Sequence, residues 1–185
     1  MSTKLRSILA LLLFTGFISI AIAQSSAPAF HAPVLITSAG QSADVTLAGM
    51  LFKKLNISAT TSAMAKPADL GDAKTLVIVA GFSSKGLGAA GVSREQELAR
   101  VQDIIKAAKE KKINVLMMHI GGKARRGNQS DDFNKIAAEA AGYMLVVQQG
   151  DEDQFFTQIA TKNKIPIALV PKIASASGQL SELFK

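Results

Sequence analysis

The chain predicts a three-layer α/β fold on a mostly parallel sheet of five or six strands, and three features carry that expectation. Short apolar runs recur along it, nearly continuous rather than alternating, as strands covered by helices on both faces read. Amphipathic stretches with recognisable helix starts separate those runs. Small and polar residues gather where the runs end, which is where open parallel sheets bind their ligands.

Val34-Leu35-Ile36-Thr37 is the first strand. Ser42 is placed to cap the next helix, whose Val45, Ala48, Phe52 and Leu55 recur on one face at spacings of three and four. Ile57 to Thr61 is a weaker second strand, and the link from Ala65 to Lys74, interrupted by Pro67 and Gly71, has room for one helical turn. Leu76-Val77-Ile78-Val79-Ala80 forms the third strand, and Gly86 to Gly91 reads as a flexible loop or lid. Ser93 and Gln96 make a capping box ahead of Leu98, Val101, Ile105 and Ala108, while Lys109, Lys111 and Lys112 complement the negative end of that helix. After the fourth strand, Val115-Leu116-Met117-Met118, Ser130 can cap a helix carrying Phe133, Ile136 and Ala140 and ended by Gly142. Met144-Leu145-Val146-Val147 is the fifth strand, Asp151 opens a helix with Phe155, Phe156 and Ile159, and Ile167-Ala168-Leu169-Val170 is the sixth run. Leu180 to Phe184 closes the chain as a short helix. With right-handed crossovers, the short second connection favours the flavodoxin-like strand order, 2-1-3-4-5 with one strand added, over the Rossmann-like dinucleotide-binding order.

Residues 1–23 read as a secretory signal peptide. Lys4 and Arg6 precede an apolar stretch from Ile8 to Ile20, and Ala21-Ile22-Ala23 supplies the small-x-small pattern that places the cut before Gln24. The apolar stretch is shorter than the roughly 20 residues a bilayer-spanning helix needs, so no stable membrane insertion is expected after cleavage. The protein is therefore expected to cross the inner membrane and to work in the periplasm or outside the cell. Residues 24–32, rich in serine, alanine and proline, form a flexible lead-in to a single domain over 33–185.

Removing 23 of 185 residues, Lys4 and Arg6 among them, leaves 19 basic and 14 acidic side chains, a balance of +5. Export removes nucleic acid as the expected partner and leaves anionic small molecules or an anionic envelope surface. With no cysteine the core must hold without disulfides. Lacking tryptophan and carrying Tyr143 as its one tyrosine, the chain is poorly equipped to stack sugars or bases.

The strand ends hold the candidate site. The first runs into Thr37-Ser38-Ala39-Gly40-Gln41-Ser42, a glycine-containing turn ahead of a helix, where free amides favour an anion. Ser83 and Lys85 follow the third strand; His119, Gly121 and the basic trio Lys123, Arg125 and Arg126 follow the fourth. Arginine presents a planar fork suited to carboxylate or phosphate, and His119 can donate to a ligand or titrate near neutrality. The expected contacts are Ser38, Gly40, Gln41, Ser42, Ser83, Lys85, His119, Gly121, Lys123 and Arg126.

Catalytic and cofactor motifs are not supported. Gly86-Leu87-Gly88-Ala89-Ala90-Gly91 has dinucleotide-fingerprint spacing, but its helix starts only at Ser93 and no acid ends the next strand. Gly81 and Gly86 have the outer spacing of a phosphate-binding P-loop, yet Leu87 stands where that loop needs lysine. Two histidines and no cysteine make a metal site improbable. A Ser38, His119, Asp131 hydrolase lacks the Gly-x-Ser-x-Gly elbow. Neither a metal nor a cofactor is expected.

Thr37-Ser38-Ala39-Gly40-Gln41-Ser42 is similar to the phosphate loop of flavodoxins, with Ala39 where they carry threonine. Pro33 to Ser42, Gly121-Gly122-Lys123-Ala124-Arg125-Arg126-Gly127 and the signal peptide resemble a bacterial family of secreted α/β proteins, the domain of unknown function DUF6305. That resemblance spans most of Pro33 to Lys172 and implies fold and location, but no activity. The resulting expectation is a non-enzymatic exported protein binding a small anion, a carboxylate or phosphate, at the carboxyl edge of the sheet. The alternatives are a flavin-binding or hydrolytic enzyme on the same scaffold, and an envelope module with a protein partner.

Overall fold

In the computed structural model, which describes residues 29–185, every sheet pairing is parallel and the strand order is β2-β1-β3-β4-β5-β6. The strands are β1 (Val34–Ala39), β2 (Ala59–Thr61), β3 (Thr75–Ala80), β4 (Asn114–His119), β5 (Tyr143–Val147) and β6 (Ile167–Val170). β1, β3 and β5 are buried along their whole length, so their unbroken apolar sequence reflects cover on both faces. The expected order with one strand added is the order found. The expected signal peptide falls outside the described residues, and no described helix is long and apolar enough to cross a membrane.

Among the described residues six α-helices form the outer layers: α1 (Asp44–Lys54), α2 (Ser84–Ala90), α3 (Arg94–Glu110), α4 (Asp131–Glu139), α5 (Phe155–Asn163) and α6 (Ala176–Leu183). One face of the sheet packs Val45, Ala48 and Phe52 of α1 with Leu180 and Leu183 of α6. The other packs Val101 and Ile104 of α3, Phe133 of α4 and Phe156 of α5. The order of strand addition reverses at β1, since β2 lies to one side of it and β3 to the other. A crevice therefore opens between the carboxyl ends of β1 and β3.

Several local expectations change. Residues 29–32, expected within a flexible lead-in, are tied to the domain: Phe30 is buried, its N–H donates to Leu183 O at 3.1 Å, and Asn114 Nδ2 donates to Ala29 O at 3.2 Å. Gly86 to Gly91 is not a flexible loop or lid. Most of it belongs to α2, whose first turn is capped by Ser83 Oγ accepting from Gly86 N at 3.1 Å and whose end is the left-handed Gly91. The closing helix starts at Ala176, four residues earlier than the apolar pattern suggests. Ser42 caps the start of α1 as expected, its Oγ accepting from Asp44 N at 3.3 Å; Ser130 is not a side-chain cap, and its Oγ instead accepts from Phe82 N, tying α4 to the end of β3 at 3.3 Å. The capping box of Ser93 and Gln96 and the one-turn link at Pro67–Leu70 are as expected. Asp151 precedes α5 as expected and accepts from Phe156 N at 2.6 Å.

Candidate functional site

The β1–α1 turn is built around an internal carboxylate. Gly40 sits at φ +98° and Gln41 at φ +58°, both in the left-handed region, and a Cβ on Gly40 would lie 2.7 Å from Gly81 O. Glu97, buried on α3, accepts from Gly40 N at 3.0 Å and from Gln41 Nε2 at 2.9 Å. Arg100, one turn further along α3, answers that charge from Nε at 2.7 Å and Nη2 at 2.8 Å. Its remaining donors reach Ala65 O at 2.7 Å, Thr37 Oγ1 at 3.3 Å and Ser38 O. The Gly40 amide that resembles a phosphate-loop donor is thus aimed at the protein's own anion.

Gly86 shows how closely α2 approaches this turn: a Cβ there would stand 1.8 Å from Gln41 O. Its glycine is a packing requirement, not the mark of a mobile segment. Gly121 meets the same constraint after β4, with a Cβ placed 2.1 Å from Arg125 Cγ and 2.4 Å from Asp44 Oδ2.

The basic trio after β4 separates into three roles. Arg125 lays its aliphatic stem against Gly81 and Gly121, donates from Nη1 to Phe82 O at 3.2 Å, and pairs through Nε with Asp44 Oδ2 at 3.3 Å. Arg126 meets Asp131 at 2.8 Å, Asp153 at 2.9 Å and Gly150 O, with its guanidinium 4.3 Å from the Phe155 ring centroid. Burial would lower the Arg126 pKa, but the two aspartates more than offset that and raise it. The Arg126 hydrogen bond holds Asp153 down at about 2. Asp131 is raised by burial but lowered further by Arg126 and Asn134, so its net shift is downward. Lys123 stands in solvent and reaches only Glu152, at 3.6 Å.

His119 is fully buried, with Nδ1 3.2 Å from Ala80 O and Nε2 3.1 Å from Gly122 O. Its ring lies 4.7 Å from that of Phe156. Burial lowers its pKa despite those two carbonyls. Ser38 Oγ is buried without a hydrogen-bond partner, and Asp131 is committed to Arg126 and Asn134. Ser38, His119 and Asp131 make no contact with one another that would constitute a relay.

Two adjoining hollows open at the crevice. One, of about 610 Å³, is lined by Ser83, Lys85, Arg125, Arg126, Asn128 and Gln129 among others. The second, of about 650 Å³, is bordered by Gln41, Ser42 and Met64 and shares Ser83, Lys85 and Arg125 with the first. No acidic side chain lines either. Of the ten residues singled out in the sequence, Gln41, Ser42, Ser83, Lys85 and Arg126 line these hollows; Ser38, Gly40, His119, Gly121 and Lys123 do not.

Arg125, Glu97, Arg100 and Asp44 are site-building residues absent from that set. A sequence signal for two of them exists: Glu97 and Arg100 fall on the buried α3 stripe with Val101, Ile104 and Ala108, and charged residues inside an apolar stripe require each other.

Fold and site together define a parallel α/β domain with an open crevice at the carboxyl edge of its sheet. A family model described as a domain of unknown function, DUF6305, matches residues 31–184, and the chain belongs to that family. No curated protein matches it in sequence. Among solved structures it is similar to a GDSL-like lipase from Bacteroides thetaiotaomicron, 13% identical with a TM-score of 0.35, over 72% of this chain and 65% of that one. The chain thus spans somewhat less than two thirds of that lipase. AlinE4, an SGNH-hydrolase family esterase, is 12% identical with a TM-score of 0.31, over 85% of this chain and 83% of that one. Scores this low carry no activity across.

Proposed function

We propose that the protein is an exported, non-enzymatic binding protein that takes a small anion, a carboxylate or phosphate, in the double hollow between the ends of β1, β3 and β4. The observation that carries this reading is the lining: Lys85 and Arg125 border both hollows, hydroxyl and amide groups surround them, and no carboxylate is part of the lining, Asp44 reaching Arg125 through Nε alone. Lys85 makes no ion pair among the described residues. The assignment moves the principal contact from Arg126, whose fork is filled by two aspartates, to Lys85 and to Nη2 of Arg125, whose Nε and Nη1 hold Asp44 and Phe82 O. Export rests on the leader pattern of residues 1–23, and amino-terminal sequencing of the exported protein should then begin at Gln24.

Thermal melting against phosphate, dicarboxylates, amino acids, nucleotides and flavin mononucleotide tests the binding reading. Ligand at 100 times its Kd stabilises the folded state by about 2.7 kcal/mol, a readily measured shift. One anion class should raise the melting temperature, and Lys85→Gln should abolish that shift while leaving the ligand-free melt unchanged. A flat response across the panel would reject the proposal.

A further inference from the structure

The excess positive charge of this protein sits at the end of the sheet opposite the crevice. In a parallel α/β fold the helices run back against the strands, so helix carboxyl ends and strand amino ends share one edge. Lys53 and Lys54 end α1, Lys109, Lys111 and Lys112 end α3, and Lys162 and Lys164 end α5. Lys74 immediately precedes β3. All eight are exposed, and no ion pair among the described residues involves any of them. The acids at that edge are Asp72, Glu110 and Glu139, with Glu182 tied to Lys185. Eight lysines against three acids leave +5, the whole excess of the chain from Gln24 onward, whose other eleven basic and eleven acidic residues cancel.

We infer that this lysine-bearing edge is a docking face for an anionic phospholipid bilayer, which it binds peripherally with the crevice turned away. Charge complementarity is the first argument. Six strands about 4.8 Å apart make an edge about 24 Å wide, more than two Debye lengths of about 10 Å, so each lysine cluster acts on the surface facing it and their contributions to a broad anionic surface add. Helix dipoles favour a cation at each helix end, but that does not account for paired or triple lysines at three ends together with Lys74.

Second, the face combines charge with apolar surface. Lys109 and Lys112 border a hollow of about 690 Å³ whose lining includes Ile105, Ile113, Val115 and Ile136. Cations for headgroups beside apolar surface for the acyl boundary is the composition of an interfacial site. Third, the chain enters the domain here. Asn114, at the amino end of β4, lines this hollow and holds Ala29 O.

Vesicle co-sedimentation tests the inference with the protein from Gln24, which contains every described residue. It should sediment with mixed phosphatidylcholine and phosphatidylglycerol vesicles and stay in solution with phosphatidylcholine alone. Lys109→Glu with Lys112→Glu should lower the partition coefficient by about tenfold or more, as expected for basic residues at an anionic surface. The charge-matched pair Lys123→Glu with Lys172→Glu, at the opposite edge, should change it by less than about twofold. Unchanged melting curves would show that both pairs fold. Equal loss in the two pairs, no sedimentation with the mixed vesicles, or retention on heparin without vesicle binding would overturn the proposal.

Discussion

The two ends of this sheet use positive charge in opposite ways. At the carboxyl end the arginines are spent on the fold: Arg100 on Glu97, Arg125 on Asp44, Arg126 on Asp131 and Asp153. Lysines dominate the amino end, exposed and, apart from Lys185 with Glu182, without acidic partners among the described residues. The chemistry of each side chain explains the division. A guanidinium presents five donors in a rigid plane and can join several acceptors from different loops, whereas an ammonium is a mobile, strongly hydrated point charge. Basic residues concentrated in a loop are therefore not by themselves a free anion site, because the same fork that suits a ligand also suits the acceptors of neighbouring loops.

Removing an acid from the carboxyl end gives the largest effect and tests this contrast hardest. Glu97→Ala should destabilise the protein by about 3–5 kcal/mol, since it strands the nearly buried Arg100 and releases the Gly40 and Gln41 donors. Urea unfolding measures it. A joint Glu97→Leu and Arg100→Met replacement should recover part of that loss, because an apolar pair removes the uncompensated charge. Removing Lys109 from the other end should move stability by no more than about 0.5 kcal/mol. Equal losses at both ends would erase the distinction.

Gly86→Ala sharpens it further, because two effects oppose each other. Alanine in α2 gains about 1 kcal/mol of helix propensity over glycine. Against that, the new Cβ would stand 1.8 Å from Gln41 O, a backbone atom in a turn fixed by Glu97. Overpacking of this kind costs about 1–3 kcal/mol, so the net effect should be a lower melting temperature. Gly88→Ala, where a Cβ would meet nothing within 4 Å, should raise it. A stabilised Gly86→Ala variant would mean that the two loops are not held as closely as the carboxyl-end network implies.

How much of this was legible in the sequence depends on the range of the interaction. The strands were, because burial on both faces writes itself as uninterrupted apolar runs such as Leu76 to Ala80. The Ser93 capping box was legible because its partners lie three residues apart. Gly86 was misread as loop because glycine lowers helix propensity, while its actual constraint comes from Gln41, distant in sequence. Arg126 resembled a ligand contact for the same reason: Asp153, its exposed partner, is 27 residues away on another loop. Sequence spacing reports helix faces and turns well. It does not report which loops meet above a sheet.

The smallest expected effect concerns that Arg126 cluster and depends on pH. Asp153 is held at about 2 by its hydrogen bond from Arg126, below an unfolded value of about 3.9. A carboxylate depressed on folding contributes stability that is fully present above the unfolded value and is lost as pH falls through the folded one. Acidification from about pH 4 to about pH 2 should therefore lower the urea midpoint. Asp153 is mostly solvent-exposed, so screening keeps its share small, and salt should reduce it further. Asp153→Asn should flatten the acid limb in that window while costing far less at neutral pH than Glu97→Ala, since Asp131 still faces Arg126. An acid limb unchanged by Asp153→Asn would place the pH dependence on other carboxylates and leave Arg126 anchored by Asp131 and Gly150 alone.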